Sequence, residues 1–221
     1  MHPVSAPPSP RFNMVEQQVR PWEVLDDLVL NQMLALPRER FVPEDYRGLA
    51  HADTAIPLGH GHRMLEPRLV GRLVQALELA PGDRALEIGS GSGYVTALMA
   101  RLADQVISYE LHPDIAARAR ANLAAAGVDN ATIREGDGLN SEIPESPFDA
   151  ILVTGSCPDY PEHLEAMLRP GGRLVVVTGS GTPMTAWRAI RESDSACARE
   201  SLFETWITPM ENTRAASTFA F

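Results

Sequence analysis

Lysine is absent from this chain, and all 19 of its basic residues are arginine. A mechanism that needs a lysine amine, as a Schiff-base nucleophile or as a general base, is therefore excluded. The two cysteines, Cys157 and Cys197, are too few for a disulfide framework, which favours a reduced, cytoplasmic protein. Apolar runs fall short of the roughly 18 residues that a membrane span requires, so we expect no membrane association.

Positive charge is also scarce relative to negative charge. The 29 acidic residues outnumber the 19 arginines and give a formal net charge of −10. Because binding to a phosphate backbone needs a basic face, this balance predicts no nucleic-acid partner. Residues 1–12 are rich in Pro and Ser and lack the features of a secretory signal, so we expect a disordered tail.

A glycine-rich loop is the most informative motif in the chain. The apolar run 85–88 contains Glu87 and is followed by Gly89, Gly91 and Gly93, and a second apolar run ends at Glu110. This pattern predicts a mononucleotide-binding βαβ unit, in which the glycines allow a tight turn and the second acid accepts ribose hydroxyls. The G-x-G-x-G spacing differs from the G-x-G-x-x-G of NAD sites and resembles motif I of S-adenosyl-L-methionine (SAM) methyltransferases.

Strand-like and helix-like patterns alternate through the second half of the chain. They predict an α/β fold resembling class I SAM-dependent methyltransferases: a Rossmann-like, doubly wound, mostly parallel seven-stranded sheet with N-terminal helical additions. The predicted strands are 84–88, 105–110, 131–134, 148–153 and 173–178, with 186–191 and 203–208 as an antiparallel edge. The predicted helices are 21–36, 67–77, 94–103, 113–126 and 161–168. We expect one structural domain, with residues 13–80 packed on a SAM-binding core at 81–221.

The chain resembles the protein-L-isoaspartate O-methyltransferase family over nearly its whole length after the tail. The matching segments are 14–19, 37–43, 55–61, 86–94, 136–138, 146–151, 168–175 and 206–210. The segment Pro-Arg-Glu-Arg-Phe-Val-Pro at 37–43 and the Gly-His-Gly at 59–61 are far more specific than the glycine loop. The resemblance implies a monomeric enzyme that methylates the carboxylate of L-isoaspartyl residues in damaged proteins or peptides, releasing S-adenosyl-L-homocysteine.

The motifs and the resemblance together assign a cofactor site for SAM. Glu87, through its backbone or a water, and the glycine loop would hold the methionine half, Glu110 the ribose, and Asp137 the adenine amino group, although a plain Asp-Gly turn also explains Asp137. The predicted cofactor-binding residues are Glu87, Gly89, Ser90, Gly91, Gly93, Glu110, Leu111, Gly136, Asp137 and Gly138.

The predicted acceptor loop departs from the family pattern. Family members continue as Gly-Gln-Thr-Ile-Ser-x-Pro, whereas this chain has Arg63 at the threonine position and Leu65 at the serine position. No catalytic residue is therefore assigned, and a carboxylate acceptor, already ionised at neutral pH, needs no general base. The predicted substrate-binding residues are His62, Arg63, Met64, Leu65, Arg68 and Thr154.

The altered loop leaves two further hypotheses open. One is a diverged methyltransferase that acts on another acid, for which Arg63 or Arg68 could clamp the acceptor with two hydrogen bonds. The other is a SAM-binding protein without transfer activity. His60 and His62 share one side of an extended segment but lack an evident third ligand, so we predict no metal site.

Overall fold

The structure is a computed structural model that describes residues 9–194 and 196–213. Its strands are β1 (Ile56–Gly59), β2 (His62–Met64), β3 (Arg84–Ile88), β4 (Gln105–Glu110), β5 (Ala131–Glu135), β6 (Phe148–Cys157), β7 (Leu168–Thr178), β8 (Met184–Ser193) and β9 (Ala196–Thr205). Its α-helices are α1 (Pro10–Met14), α2 (Asp27–Ala35), α3 (Pro67–Ala76), α4 (Tyr94–Ala100) and α5 (Pro113–Ala125). No helix among these described residues is long and apolar enough to cross a membrane.

The central sheet has seven strands in the order β5-β4-β3-β6-β7-β8-β9. Strands β3 to β7 pair in parallel, whereas β8 and β9 each pair antiparallel with the strand before them. The chain runs outward from β3 to β5 and then returns to place β6 on the other side of β3. This reversal opens a crevice at the carboxyl ends of the strands, where ligands bind in such folds. The predicted doubly wound sheet with an antiparallel edge is confirmed.

The sheet core is buried on both faces because helices or loops cover each side. Ile151, Leu152 and Val153 of β6 are all fully buried, which explains why this strand reads as an unbroken apolar run. Burial of each such side chain contributes about 1.5–3 kcal/mol to folding. The sheet is therefore a rigid platform for the residues at its carboxyl edge.

The N-terminal region differs in detail from its prediction. Pro10–Met14 form α1, capped by the Ser9 hydroxyl, so residues 10–12 are helical, while residues 1–8 of the predicted tail lie outside the described residues. The predicted helix at 21–36 starts only at Asp27. Glu23 adopts a left-handed backbone (φ 63°) that interrupts the helical path, and the Asp26 carboxylate then caps the new helix at Leu28 N, 2.8 Å away.

Three elements of the second half are also corrected. The segment predicted as helix 161–168 is a short 3₁₀ helix at Glu162–Met167. Strand β6 continues to Cys157, four residues beyond the prediction, so Thr154 lies within a strand and not in a turn after it. The last strand lies at Ala196–Thr205 because its hairpin pairing with β8 sets the register, and 206–208 lie beyond it.

Candidate cofactor and substrate site

A cleft opens at the carboxyl ends of β3, β4, β5 and β6. The β1–β2 hairpin forms one wall, and the segment that follows β9 forms another. That segment is anchored to the sheet by backbone hydrogen bonds from Ser156 N to Thr208 O (3.1 Å) and from Met210 N to Ser156 O (2.9 Å). The cleft is lined by Leu58, His62, Arg63, Leu65, Ile88, Gly89, Gly91, Tyr109, Glu110, Leu111, His112, Ile115, Gly136, Asp137, Gly138, Thr154, Gly155, Thr208, Pro209, Met210 and Glu211.

The glycine loop turns tightly over the end of β3. Gly89 has a left-handed backbone (φ 95°), and its N–H donates to Tyr109 O at 2.8 Å. A Cβ at this position would lie only 2.5 Å from Thr154 Oγ1. The Thr154 hydroxyl itself contacts the carbonyls of Ile88 and Gly89. The loop thus needs glycine at this position for both its backbone angle and its close contact with β6.

Glu110 stands at the end of β4 with its carboxylate fixed against the glycine loop. Its Oε2 accepts from Gly91 N at 2.9 Å, and its Oε1 accepts from His112 N at 3.2 Å. The residue is 6% exposed and lines the cleft. The Oε2 atom also accepts from the Ser90 hydroxyl at 3.4 Å, whereas Oε1 retains a further acceptor position, so the group can take a ribose hydroxyl.

Asp137 lies in the turn that follows β5, and it also lines the cleft. Its Oδ1 accepts from Leu139 N (3.0 Å) and Asn140 N (3.1 Å), and its Oδ2 accepts from Asn140 Nδ2 (2.9 Å) and Asn212 Nδ2 (3.2 Å). The neighbouring Gly138 approaches Tyr109 so closely that a Cβ would meet its side chain at 2.6 Å. The two sequence interpretations of Asp137, a turn residue and a cleft residue, are therefore compatible.

These features fit the predicted cofactor. The carboxylates of Glu110 and Asp137 lie at the ends of two neighbouring strands, and the glycine loop lies at the end of a third. Two groups that can accept hydrogen bonds from hydroxyls or an amine and a loop with little side-chain bulk therefore face one space. Seven of the ten predicted cofactor residues line the cleft: Gly89, Gly91, Glu110, Leu111, Gly136, Asp137 and Gly138.

The Glu87 side chain lies inside the protein and not in the cleft, so any contact of Glu87 with the cofactor would be made through its backbone or a water. It is fully buried, and its Oε2 accepts from the hydroxyls of Ser108 (2.6 Å) and Thr96. Burial raises the pKa of this carboxyl to about 8. Since successive strand residues alternate between faces, Glu87 packs under α4 whereas Ile88 lines the cleft.

Ser90 and Gly93 also fall outside the lining of the cleft. Ser90 is 4% exposed, and its hydroxyl lies 3.4 Å from Glu110 Oε2. Gly93 precedes α4 with φ 81°, and a Cβ there would lie 3.2 Å from Ala119 O of α5. Both residues support the loop from behind, and their predicted contact with the cofactor stays a prediction.

On the acceptor side, His62, Arg63, Leu65 and Thr154 line the cleft as predicted. Met64 does not, because it is 5% exposed and belongs to the main apolar core. Arg68 does not either, because its guanidinium pairs with Asp53 at 2.9 Å and lies 4.1 Å from the centre of the Trp22 ring, outside the cleft. Among the described residues, Arg63 has no carboxylate within ion-pair distance, and its one hydrogen bond goes to Ala55 O at 3.5 Å.

Arg38 holds the acceptor loop in place from beneath. The side chain is fully buried, and it donates from Nε to Ala50 O (3.0 Å) and from Nη2 to Leu65 O (2.7 Å). Burial lowers the pKa of its guanidinium. The sequence signal for this role was the Pro-Arg-Glu-Arg-Phe-Val-Pro segment, although no spacing rule linked it to Leu65.

The sequence analysis missed one wall of the cleft and a cluster at its mouth. Glu211 Oε1 lies 2.7 Å from His62 Nε2 and 2.8 Å from His112 Nε2, and these two histidine contacts lower the pKa of the Glu211 carboxyl. The His60 ring stacks on His112 with centroids 4.1 Å apart. His62 and Glu211 are 149 residues apart, so no local pattern could have joined them.

Comparison with known proteins decides the family. A family model described as protein-L-isoaspartate(D-aspartate) O-methyltransferase matches residues 11–214. The chain belongs to this methyltransferase family.

Individual members of the protein-L-isoaspartate O-methyltransferase family show the same relationship. One from Methanoculleus marisnigri is 45% identical over 169 residues, which is 76% of this chain and 77% of the relative. Another, from Koribacter versatilis, is 36% identical over 200 residues and covers 90% of each chain. A Plasmodium falciparum crystal structure described as a family member in complex with S-adenosyl-L-homocysteine has a TM-score of 0.76 at 24% identity. That alignment covers 90% of this chain and 98% of the other, and it shows the shared fold.

Proposed function

We propose that the protein is a SAM-dependent O-methyltransferase that methylates the carboxylate of L-isoaspartyl residues in damaged proteins. Its membership of the isoaspartate O-methyltransferase family over residues 11–214 carries this assignment. The cleft supports it independently, because Glu110, Asp137 and the glycine loop face one space at the carboxyl edge of the sheet. The ester formed on an isoaspartyl residue would cyclise to a succinimide, which reopens partly to normal aspartate.

The cofactor would lie along the three strand ends. Gly89 and Gly91 would leave room for the methionine portion, the Glu110 carboxylate would accept the ribose hydroxyls, and Asp137 would accept the adenine amino group. When bound, SAM supplies an electrophilic methyl group on a sulfonium. The backbone N–H groups of Gly91 and His112 hold the Glu110 carboxylate in position before any ligand arrives, which reduces the ordering needed on binding.

The chain's own residues would act on the acceptor mainly by positioning it. A carboxylate acceptor is ionised at neutral pH, so the cleft needs no base to activate it. The Arg63 guanidinium stands at the cleft without an acidic partner among the described residues, and it is the cation best placed to pair with that carboxylate. Arg38 fixes the backbone of the same loop through Leu65 O. Correct placement of the acceptor accounts for a large part of the rate in such a reaction.

The test is production of S-adenosyl-L-homocysteine from SAM in three parallel reactions: an isoaspartyl peptide, its normal aspartyl twin and no peptide. We expect turnover only with the isoaspartyl peptide. The variant Arg63→Ala should raise KM for this peptide and leave the SAM dissociation constant unchanged. Turnover with neither peptide, from protein that still binds SAM, would reject the assignment.

A second candidate is methyl transfer to a different acid. The observation that favours it is the acceptor loop, where Leu65 (8% exposed) and Arg63 replace the hydroxyl residues of the family pattern. The apolar Leu65 side chain and the Arg63 guanidinium, which has no acidic partner among the described residues, would together suit a small carboxylic acid that also has an apolar part. SAM-dependent methylation of such acids, with isoaspartyl peptides inert, would establish this alternative. A protein that binds SAM tightly and methylates neither class would instead be a non-catalytic SAM-binding protein.

The partners and location form part of the same proposal. We propose a monomer that meets protein or peptide substrates in the cytoplasm and does not bind nucleic acid. The net charge of −10 and the two free cysteines, Cys157 and Cys197, support this view. Sedimentation of the full chain, with and without substrate peptide, tests the monomer.

A further inference from the structure

Three potential metal ligands meet at the mouth of the cleft. They are His62 on β2, His112 just after β4, and Glu211 in the segment that follows β9. Their ligand atoms all lie within 4.8 Å of one another. Both histidines direct Nε2 at the same carboxylate oxygen, at 2.7 Å and 2.8 Å. Two imidazoles and one carboxylate are the ligand set of many zinc sites that keep an open coordination position.

The observed spacing needs only a small adjustment to surround an ion. Zinc binds histidine nitrogen at about 2.0–2.1 Å, so two ligand atoms on a tetrahedral ion are separated by about 3.3 Å. The Nε2–Oε1 separations of 2.7 and 2.8 Å must therefore lengthen by about half an ångström, and the two Nε2 atoms, which lie within 4.8 Å of each other, must also come to about 3.3 Å apart. Side-chain rotation can supply this change, because the side chains of His62, His112 and Glu211 are 24%, 17% and 43% exposed.

The surrounding charge also favours a cation. Glu110, Asp137 and Glu211 line the cleft, and Arg63 is the one arginine among its described lining residues. The backbone N–H of His112 is already bonded to Glu110, which limits the freedom of the His112 ring. The His60 ring stacks on the His112 ring, and His60 Nε2 lies 3.0 Å from Asp114 Oδ1. The bond to Glu110 thus fixes the His112 backbone before an ion binds.

We propose that His62, His112 and Glu211 bind one divalent transition-metal ion, with Zn²⁺ as the best match, and that water completes its coordination. The three ligands come from the hairpin, from the segment after β4 and from the segment after β9. An ion held between them links three walls of the cleft.

The experiment is calorimetric titration of the metal-stripped full chain with Zn²⁺, repeated with Glu211→Gln and His112→Gln. We expect one Zn²⁺ per chain and a loss of more than about 100-fold in affinity for either variant, since even an outer-sphere partner contributes about 10–100-fold. His60→Gln is the matched control, because it removes a neighbouring imidazole that is not a ligand, and its affinity should stay within about twofold of the wild type. Co²⁺ added to the wild type should give the absorption bands of a tetrahedral ion.

Thermal unfolding provides a second readout that does not depend on enzyme activity. Zn²⁺ should raise the Tm of the wild type and of His60→Gln, and it should leave the Tm of His112→Gln unchanged. Unfolding of each variant without metal checks that it is folded. The proposal is overturned if the wild type shows no saturable binding, if the two ligand variants bind as tightly as the wild type, or if His60→Gln loses as much affinity as they do. The last result would mean that ions bind loosely to exposed imidazoles.

Discussion

Replacement of Glu87 by Gln tests whether a buried carboxyl sets the pH dependence of stability. Glu87 is fully buried, its Oε1 has no hydrogen-bond partner among the described residues, and its pKa rises from 4.5 to about 8 because burial disfavours the charged form. Glutamine keeps the shape of the protonated acid and cannot ionise. At pH 6, where the folded protein holds Glu87 protonated, we expect the substitution to change stability by less than about 1 kcal/mol.

The sign of the effect follows from proton binding. Between pH 4.5 and about 8 the unfolded chain releases the Glu87 proton while the folded protein keeps it, so rising pH favours unfolding. The full loss, reached above pH 8, is about 5 kcal/mol for a shift of this size. Between pH 6 and pH 9 the wild type should therefore lose about 3 kcal/mol that Glu87→Gln does not lose.

The assay is urea unfolding followed by circular dichroism at pH 6, 7.5 and 9, with both proteins in the same buffers. Glu44→Gln is the matched control, because the Glu44 side chain is 84% exposed and its removal should leave the pH profile of the wild type unchanged. Parallel profiles for the wild type and Glu87→Gln would refute the reasoning. That result would mean that Glu87 ionises in the folded protein at its ordinary pKa.

The remaining predictions concern the two sides of the cleft. Asp137→Ala should weaken SAM binding by about tenfold in calorimetry, as expected for one lost hydrogen bond, and an unaltered dissociation constant would remove Asp137 from the adenine site. Gly89→Ala should lower the free energy of unfolding by about 1–3 kcal/mol and abolish measurable SAM binding, because φ is 95° and the new Cβ would meet Thr154 Oγ1 at 2.5 Å. The variant Leu65→Ser, which keeps Arg63 and restores the hydroxyl of the family pattern, should raise kcat/KM for isoaspartyl peptides, and unchanged turnover would show that Leu65 does not limit activity.

Much of the cofactor side follows from short stretches of sequence. Gly89 directly follows β3, Glu110 is the last residue of β4, and Asp137 lies two residues after β5, and the apolar pattern identifies all three strands. Because parallel strands end at one edge of the sheet, knowing the strands was enough to bring these residues together. The motif did not show where the Glu87 side chain lies, and the structure directs it to the face of the sheet opposite the cleft.

The acceptor side depended on contacts between distant residues. Sequence alone placed Arg63 and Leu65 beside the site, but only the structure shows that Arg38 holds Leu65 O and that Arg68 faces Asp53 and Trp22. The β1–β2 hairpin on the acceptor side is not part of the seven-stranded sheet, so the strand order of that sheet does not fix the position of the hairpin. Its position comes from packing and from buried hydrogen bonds, which leave no periodic signal in the chain.

The sequence by itself determined the fold class, the family and the positions of the cofactor-side acids, since each rests on local periodicity and on spacing after a strand. Only the tertiary structure decided which side chains share the mouth of the cleft. Glu211 joins His62 and His112 because Thr208 and Met210 pair with Ser156 at the end of β6 and carry the last described segment back over the sheet. Such a contact depends on the path of the whole chain, which no short segment encodes.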